Sequence, residues 1–214
     1  MKSEPIDRMV RSKMTIQEGM SKYLEMGDYE QRRYVFIASF FNDMGGKILD
    51  IGCCKGGLQK YLNRSLTYYG VDGLDQSFEG YVRVDLNHPA LPFRSKTFDA
   101  INCSAVLEHL FYPLELLQEM KRVLRDAGKI LISLPNDKGL STLYSQLFLR
   151  IAPYDEYIYG HHWKFSIETA RQFFGKEFKI IKESPEFGPL FEKYLFFLKI
   201  KRFCTEWFMF GMKK

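Results

Sequence analysis

Short apolar runs alternate with helical patterns through the middle of the chain. The runs are KILDI, LTYYGVD, YVRVDL, FDAINCS and GKILISLP, and each has the length and apolar content of a buried strand. Between them, GLQKYLNR and PLELLQEMKRVLRD place apolar residues at helical spacing. Strands that alternate with helices build βαβ units, and these units form a parallel sheet with helices on both faces.

The pattern changes after Pro135, where a long connection over about 136–164 ends in an aromatic, His-containing segment. SIETARQFFG then predicts a helix, and FKIIKES and YLFFLKIKRF predict two further strands. Because only a loop separates these two strands, we expect them to form a hairpin-like end of the sheet. The sequence therefore predicts an α/β fold with a Rossmann-like, seven-stranded, mostly parallel sheet and helices on both faces.

Both ends of the chain lie outside this alternation. Residues 1–44 predict an N-terminal helical cap, in which DYEQRRYVFIASFFNDMGG forms the firmest helix, and residues 45–214 then make up the main domain. The apolar and aromatic segment CTEWFMFGMKK predicts a tail that docks onto the body. The alternative is that this tail makes a homodimer contact or a membrane-surface contact.

Composition and charge place the chain among soluble globular proteins. Its 214 residues are 46% apolar and 27% charged, which suits one domain with a buried core. The net charge of +5 comes from Lys and Arg residues spread along the chain, which argues against a nucleic-acid partner. The sequence shows no signal peptide, no transmembrane segment and no disulfide framework. We therefore expect a reduced, cytoplasmic protein.

The stretch KILDIGCCKGGLQKYL joins the first predicted strand to a helix. Adjacent Cys53 and Cys54 lack the C-x-x-C spacing of zinc and redox sites, so we expect no metal site. The P-loop pattern G-x-x-x-x-G-K-[ST] is also absent. The remaining interpretation is a glycine-rich turn that lets the backbone approach a ligand at the start of the helix. Asp50 would oppose a pyrophosphate there and favours a ligand with an amino group or a sulfonium.

Several segments in order resemble the class I S-adenosylmethionine-dependent methyltransferases. Asp50-x-Gly52-x-Cys54-x-Gly56 is similar to the first motif of that family, D/E-x-G-x-G-x-G. YYGVD and VRVDLN are similar to its second and third motifs. The region LPFRSKTFDAINCSAVLEHL, with the helix and strand that follow it, resembles small methyltransferases of the ubiquinone-biosynthesis type.

The resemblance implies a site for S-adenosyl-L-methionine, with S-adenosylhomocysteine as the product. Asp72 would accept hydrogen bonds from the two ribose hydroxyls, Asp85 would accept from the adenine amino group, and Leu86 would pack on the adenine ring. The backbone at Cys103 and Ser104 would approach the methionine portion. The full predicted cofactor set is Asp50, Gly52, Cys54, Gly56, Asp72, Gly73, Asp85, Leu86, Cys103 and Ser104.

Cys54 departs from the family pattern, which usually has glycine at this position. Because Cys is small, we expect cofactor binding to survive. A requirement for a positive φ angle at this position would instead argue for loss of binding, since that conformation favours glycine.

The candidate catalytic residues are histidines. His109 follows the fourth predicted strand, at the sheet edge where such folds bind ligands. His161 and His162 lie in the connection over 136–164, which the resemblance places over the acceptor site. A pocket-lining role for His109 and a packed aromatic turn around the other two are the alternatives. Glu108 is expected to be a surface or capping acid.

The predicted function is transfer of a methyl group from S-adenosylmethionine to a small-molecule acceptor, with apolar or ring character favoured by the aromatic connection. ISLPN and HHWKFS are more loosely similar to MetW-like methionine-biosynthesis proteins, which leaves a metabolic role open. Cys54 suggests a non-catalytic S-adenosylmethionine-binding module as an alternative. A further alternative is an NAD-dependent dehydrogenase, because Gly52-x-Cys54-x-x-Gly57 is close to G-x-G-x-x-G.

Overall fold

The computed structural model describes residues 29–88, 90–139, 161–186, 204 and 206–214. Within these ranges, seven strands form one sheet. The strands are β1 (Gly46–Ile51), β2 (Leu66–Asp72), β3 (Tyr81–Arg83), β4 (Phe98–Ser104), β5 (Leu124–Pro135), β6 (Phe178–Glu186) and β7 (Glu206–Lys213). The helices are α1 (Tyr29–Ser39), α2 (Pro113–Val123) and α3 (Ile167–Gly175), with 3₁₀ turns at Gly57–Tyr61 and Leu107–His109.

The strands lie in the order β3-β2-β1-β4-β5-β7-β6. Neighbouring strands from β3 to β5 pair in parallel, and β7 pairs antiparallel with both β5 and β6. The chain proceeds in opposite directions from β1 and β4, so a crevice opens beyond their carboxyl ends, where such sheets bind ligands. The predicted Rossmann-like, mostly parallel sheet is confirmed.

Successive side chains of the strands enter two cores, one on each face of the sheet. On one face, Leu49 and Ile101 belong to a core that includes Leu116 of α2. On the other face, Ile48 packs in a core with Phe36 of α1. Since neighbouring residues are buried on opposite faces, the central strands read as continuous apolar runs. This is the reason that the hydrophobic pattern located them.

Helix α2 ends earlier than its sequence pattern predicted. The pattern PLELLQEMKRVLRD continues to Asp126, whereas the helix ends at Val123 and β5 begins at the next residue. The segment before β4 donates hydrogen bonds to the last two carbonyl groups of this helix. The backbone N–H of Lys96 donates to the carbonyl of Arg122, and the backbone N–H of Thr97 donates to the carbonyl of Val123. The predicted helix at 57–64 is likewise only a short 3₁₀ turn.

The strand beside β5 corrects the expectation for the C-terminal segment. Glu206–Lys213 pairs along its length with β5 and β6, so this segment is a strand inside the sheet and not a tail docked onto it. A homodimer or membrane-surface contact through the segment stays a prediction. Trp207, Phe208 and Met209 are all buried. A strand covered on both faces lacks the alternation that would have marked it. The run YLFFLKIKRF, predicted as the last strand, lies outside the described residues.

Other predictions are covered only in part. The cap over 1–44 is described from Tyr29 onward, and the connection over 136–164 is described only at 136–139 and 161–164. The domain boundary and the cytoplasmic location therefore stay predictions. Of the helices in the described ranges, none combines the length and apolarity needed to cross a membrane.

Candidate functional site

The turn after β1 contains three residues with left-handed backbone angles. Gly52, Cys54 and Gly56 have φ values of 70°, 46° and 70°. A Cβ atom on Gly52 would lie 2.3 Å from Cγ2 of Val106, so glycine is needed there for packing as well as for conformation. The turn can therefore lie directly against the segment that follows β4.

Asp72, the last residue of β2, connects two loops at the carboxyl edge of the sheet. Its Oδ2 accepts a hydrogen bond from the backbone N–H of Cys54 at 2.9 Å, and its Oδ1 accepts from the backbone N–H of Leu74 at 3.0 Å. The Tyr81 hydroxyl donates to the Asp72 carbonyl at 2.9 Å. Carboxylate oxygens each offer two lone pairs, so both oxygens can also accept from a ligand. The geometry fixes a hydrogen-bond acceptor between the two loops.

The two cysteines of this turn have different environments. Cys53 is buried, and burial raises the pKa of its thiol. Cys54 is exposed as a residue, but partial desolvation of its thiol and then the nearby Asp72 carboxylate raise its pKa as well. Thiols with raised pKa values are poor metal ligands and poor nucleophiles at neutral pH, because only the thiolate reacts.

The positive φ of Cys54 gives a physical reason for glycine in the family pattern. A non-glycine residue in the left-handed region costs roughly 1–2 kcal/mol. Cys54 nevertheless adopts this conformation, and its backbone N–H reaches Asp72. Position 54 thus does require a positive φ angle, the condition that argued for loss of cofactor binding. The backbone hydrogen bond to Asp72 is formed nevertheless.

Asp50 is a buried carboxylate on β1 with a defined set of donors. Its Oδ1 accepts from the side-chain amide of Asn102 at 2.7 Å, and its Oδ2 accepts from the Tyr68 hydroxyl at 2.7 Å. Ser104 Oγ donates to Asn102 Oδ1 at 2.7 Å and so fixes the amide. Burial raises the pKa of Asp50 to about 6, and repulsion from Asp72 also raises it. The hydrogen bonds from Asn102 and Tyr68 act in the opposite direction and lower it. A positively charged ligand group would offset the cost of the buried charge.

The residues predicted to contact adenine lie beyond β3. Asp85 is exposed, and its Oδ1 accepts from the backbone N–H of Asn87 at 3.0 Å. Leu86 belongs to the core on the α2 face, with only a small exposed fraction. A Cβ on Gly73 would approach the Val84 carbonyl oxygen no closer than 3.8 Å, an ordinary contact distance. Asp85 is therefore accessible, whereas Leu86 contributes mainly to packing.

The side chains at the end of β4 are engaged inside the protein. Cys103 is fully buried in the core, and burial raises the pKa of its thiol well above the ordinary value. Because its side chain is buried in this core, a ligand at the sheet edge could reach only its main chain. Ser104 is partly buried and is engaged with Asn102.

Two of the predicted histidines meet at the carboxyl edge. The ring centroids of His109 and His161 are 4.6 Å apart, at an angle of 71°. His162 instead stacks on Phe111, with centroids 4.3 Å apart. The fold thus joins two of the three candidates into one pair and places the third in an aromatic contact.

Backbone hydrogen bonds hold this arrangement. The carbonyl oxygen of Glu108 accepts from the backbone N–H of His162 at 2.7 Å and of Trp163 at 3.2 Å. The Trp163 indole N–H donates to the Leu110 carbonyl at 2.9 Å. Glu108 itself is 2% exposed, so the expectation of a surface or capping acid is wrong. The segment around Trp163 lies against the 3₁₀ turn that carries Glu108, a contact that local sequence does not reveal.

Some residues of the site carry no sequence motif. Tyr68 and Asn102 lie inside strands and became visible only through their bonds to Asp50. The signal for Asn102 was a polar residue within the apolar run FDAINCS. Arg33 of α1 forms an ion pair at 2.8 Å with Glu206 of β7, which fastens the helix near the same edge. No local pattern predicts a pair so distant in sequence.

Comparisons with known proteins identify the family. The family model described as a methyltransferase domain matches residues 24–178. The ubiquinone/menaquinone biosynthesis C-methyltransferase of Marinomonas sp. is 35% identical over 97 residues, which cover 43% of this chain and 39% of that protein. The ubiquinone biosynthesis O-methyltransferase of Xanthomonas oryzae pv. oryzae is 24% identical over 155 residues, covering 64% of this chain and 63% of that protein. The matches thus span less than two thirds of either relative.

A solved structure shares the fold. A SAM dependent methyltransferase from Archaeoglobus fulgidus superposes with a TM-score of 0.57 over 86% of this chain and 91% of that chain, at 20% identity. This likeness shows the fold, and the family match extends over most of the chain. The chain therefore belongs to the methyltransferase-domain family of class I methyltransferases, whose cofactor is S-adenosyl-L-methionine and whose product is S-adenosylhomocysteine.

Proposed function

We propose that the protein transfers a methyl group from S-adenosyl-L-methionine to a small-molecule acceptor. The observation that carries the proposal is the position of Asp72. Its two carboxylate oxygens bind the glycine-rich turn and the loop after β2, so they are fixed at the mouth of the crevice. Fixed acceptors at this place suit the paired hydroxyls of a ribose.

The other residues of the edge also fit this cofactor. Asp50 keeps a carboxylate near the turn and suits the positively charged portion of the ligand. The exposed carboxylate of Asp85 can accept from the adenine amino group. Gly52 lets the turn approach closely, and Cys54 keeps its backbone N–H on Asp72 despite its side chain. Together with Asp72, these residues cover the first three family motifs and would line the cofactor site.

The protein's part in the reaction is to position the acceptor and to exclude water. When bound, S-adenosylmethionine supplies a methyl group on a sulfonium sulfur. Holding the acceptor atom in line with that methyl group accounts for much of the rate enhancement in such displacements. An acceptor that must lose a proton needs a base nearby. His109, whose side chain is 39% exposed, and the adjacent His161 can accept that proton.

Exposed aromatic side chains beside these histidines favour an acceptor with apolar or ring character. Phe111 and Tyr112 are each 56% exposed, and Trp163 is 46% exposed. A group of exposed aromatics next to a catalytic edge is typical of a ligand-binding surface. This supports a small organic acceptor.

The substitution Asp72→Ala tests the proposal. Two hydrogen bonds to a charged group contribute about 1.5–3 kcal/mol each, so the affinity for S-adenosylhomocysteine should fall by about 100-fold or more. Isothermal titration calorimetry measures this affinity. Asp75→Ala is the matched control, because that carboxylate lies three residues further along and its side chain is 84% exposed.

Thermal unfolding must first show that both variants are folded. Equal affinity in the wild type and a folded Asp72→Ala variant would refute the proposed role of the carboxylate. Transfer of a radiolabelled methyl group to members of a broad acceptor panel is the measurement of activity. Tight binding of the adenosyl ligands without any transfer would favour the non-catalytic module instead.

A further inference from the structure

We propose that Glu108, His109 and His161 bind one divalent cation at the acceptor side of the cofactor crevice. Each residue offers one ligand atom, a carboxylate oxygen or an imidazole nitrogen, and these atoms all lie within 4.8 Å of one another. Glu108 Oε1 and His109 Nε2 are 4.0 Å apart. The sequence-based expectation of no metal site considered the cysteines of the first loop, whereas this cluster lies after β4.

The spacing of the three ligand atoms is close to that of a metal site. Donor atoms bound to one zinc ion at about 2.0–2.2 Å in tetrahedral geometry lie roughly 3.3–3.6 Å apart. The atoms of the cluster would therefore have to approach one another by about 1.5 Å at most. His109 and His161 are only partly buried, so small changes in their side-chain torsions can supply this movement.

Hydrogen bonds hold the segment that contains His161 beside the 3₁₀ turn that contains Glu108 and His109. The carbonyl of Glu108 accepts from the N–H groups of His162 and Trp163, and the Trp163 indole N–H donates to Leu110. His161 is therefore held beside the turn that carries the other two ligands. A metal site needs its ligand-bearing segments to be held rigidly in this way.

The chemistry of the ligands indicates the class of cation. Two imidazole nitrogens and one carboxylate oxygen suit Zn²⁺, Fe²⁺ and Mn²⁺. Calcium is disfavoured, because it prefers a larger number of oxygen ligands. The burial of Glu108 keeps water from its carboxylate, which strengthens the attraction for a cation.

The position of the cluster gives the cation a role at the acceptor. Val106 packs against Gly52 of the cofactor turn, and the 3₁₀ turn with Glu108 and His109 follows directly. Three protein ligands leave coordination positions open, and an acceptor hydroxyl is the substrate group that fits them. With a cation bound, His109 and His161 would be its ligands rather than the base, so the bound hydroxyl would lose its proton to solvent and its oxygen would bond to the methyl carbon. The carbon–sulfur bond breaks, and its electron pair stays on sulfur. This role rests on the proposed function, whereas cation binding does not.

Equilibrium dialysis against Zn²⁺ or Mn²⁺, followed by metal analysis, tests the site in the full chain without cofactor. We expect one cation per chain. His161→Ala should weaken binding by about tenfold or more, as losses of metal-site residues do. Glu108→Gln should weaken cation binding comparably. Because Glu108 is buried, that variant could fail to fold, whereas His161 is only partly buried and its substitution tests the site without this risk. His162→Ala is the matched control, since its ring stacks on Phe111 and only its backbone N–H bonds to Glu108.

Two results would overturn the proposal. One is that the wild type binds neither cation, and the other is that folded His161→Ala and Glu108→Gln bind as well as the wild type. Water-proton relaxation with Mn²⁺ tests the open positions, because an open site gives enhanced relaxation and a closed cage of protein ligands gives none. Absence of enhancement on bound Mn²⁺ would overturn the acceptor role.

Calorimetry with S-adenosylhomocysteine separates this proposal from the function proposed above. His161→Ala should bind that ligand as the wild type does. Intact adenosyl binding together with absent cation binding would refute the cation site alone. Intact cation binding without adenosyl binding would instead refute the proposed function.

Discussion

Asp50 is a carboxylate in a buried position, where desolvation disfavours its charged form. Its pKa is raised to about 6 despite two hydrogen bonds to the carboxylate. Strongly shifted pKa values are concentrated at the functional sites of proteins. The buried charge therefore lowers the stability of the ligand-free protein, and under the proposed function a cationic ligand would offset this cost.

Asp50→Asn should raise the free energy of unfolding of the ligand-free protein at neutral pH by about 1–3 kcal/mol. The pKa is about 6 in the folded protein, against an ordinary value of 3.8, so the folded state binds the proton more tightly. Stability must then fall as the pH rises through this interval, and the cost is complete above it. An asparagine at this position can still accept from Asn102 and donate to the Tyr68 oxygen.

Urea denaturation at pH values of about 4 and about 7.5 measures the effect, because these values lie on either side of the shifted titration. The advantage of the variant over the wild type should be large at the higher pH and small at the lower one. Asp43→Asn, which changes an exposed carboxylate, is the control and should alter little. A variant that is less stable at the higher pH would contradict the account.

Sequence motifs located individual residues at the sheet edge correctly, whereas the exposure of a residue could not be predicted from its neighbours in sequence. Asp50 and Asp72 were found from their spacing to glycine, and both carry hydrogen bonds that organise the crevice. Glu108 was misjudged because its burial depends on a segment far along the chain. Their roles toward the cofactor remain predictions.

Strand β7 shows how an element can be hidden in an apolar sequence. Its residues join α1 on one face and the α2 core on the other, with Phe208 packed edge-on to Phe36 at a centroid distance of 5.1 Å. The central strands were recognised because turn signals bound them, whereas EWFMFGMK has no such signal before it. Tertiary pairing with β5 and β6, rather than local pattern, defines this strand.

Phe208→Ala should therefore lower the free energy of unfolding by about 3–5 kcal/mol, the usual cost of removing a buried phenylalanine ring. Phe208 is fully buried in the middle of β7. Chemical denaturation measures the loss. Phe111→Ala is the control, because the same side chain is removed from a position that is 56% exposed, and the expected change is below about 1 kcal/mol. Similar, small losses in both variants would contradict the assignment of this segment to the sheet interior.

At the scale of the whole molecule, the topology creates the site. The strand order reverses between β1 and β4, and the crevice there collects residues from four separate stretches of sequence. The alternation of strands and helices was enough to predict the parallel part of this sheet, from β1 to β5, but not β7. The meeting of His109 with His161 was not predictable, because it depends on how the chain returns after the connection over 136–164. A candidate cation site thus arises from the fold and not from any motif.

Calorimetric titration of the wild-type protein with S-adenosylmethionine, S-adenosylhomocysteine and NADH tests whether this crevice binds S-adenosylmethionine. The fixed carboxylate of Asp72 and the buried charge of Asp50 predict saturable binding of both adenosyl ligands. They predict no comparable binding of NADH, because its pyrophosphate would face the Asp50 charge. Tight binding of NADH without a response to either adenosyl ligand would contradict the assignment of this crevice to S-adenosylmethionine.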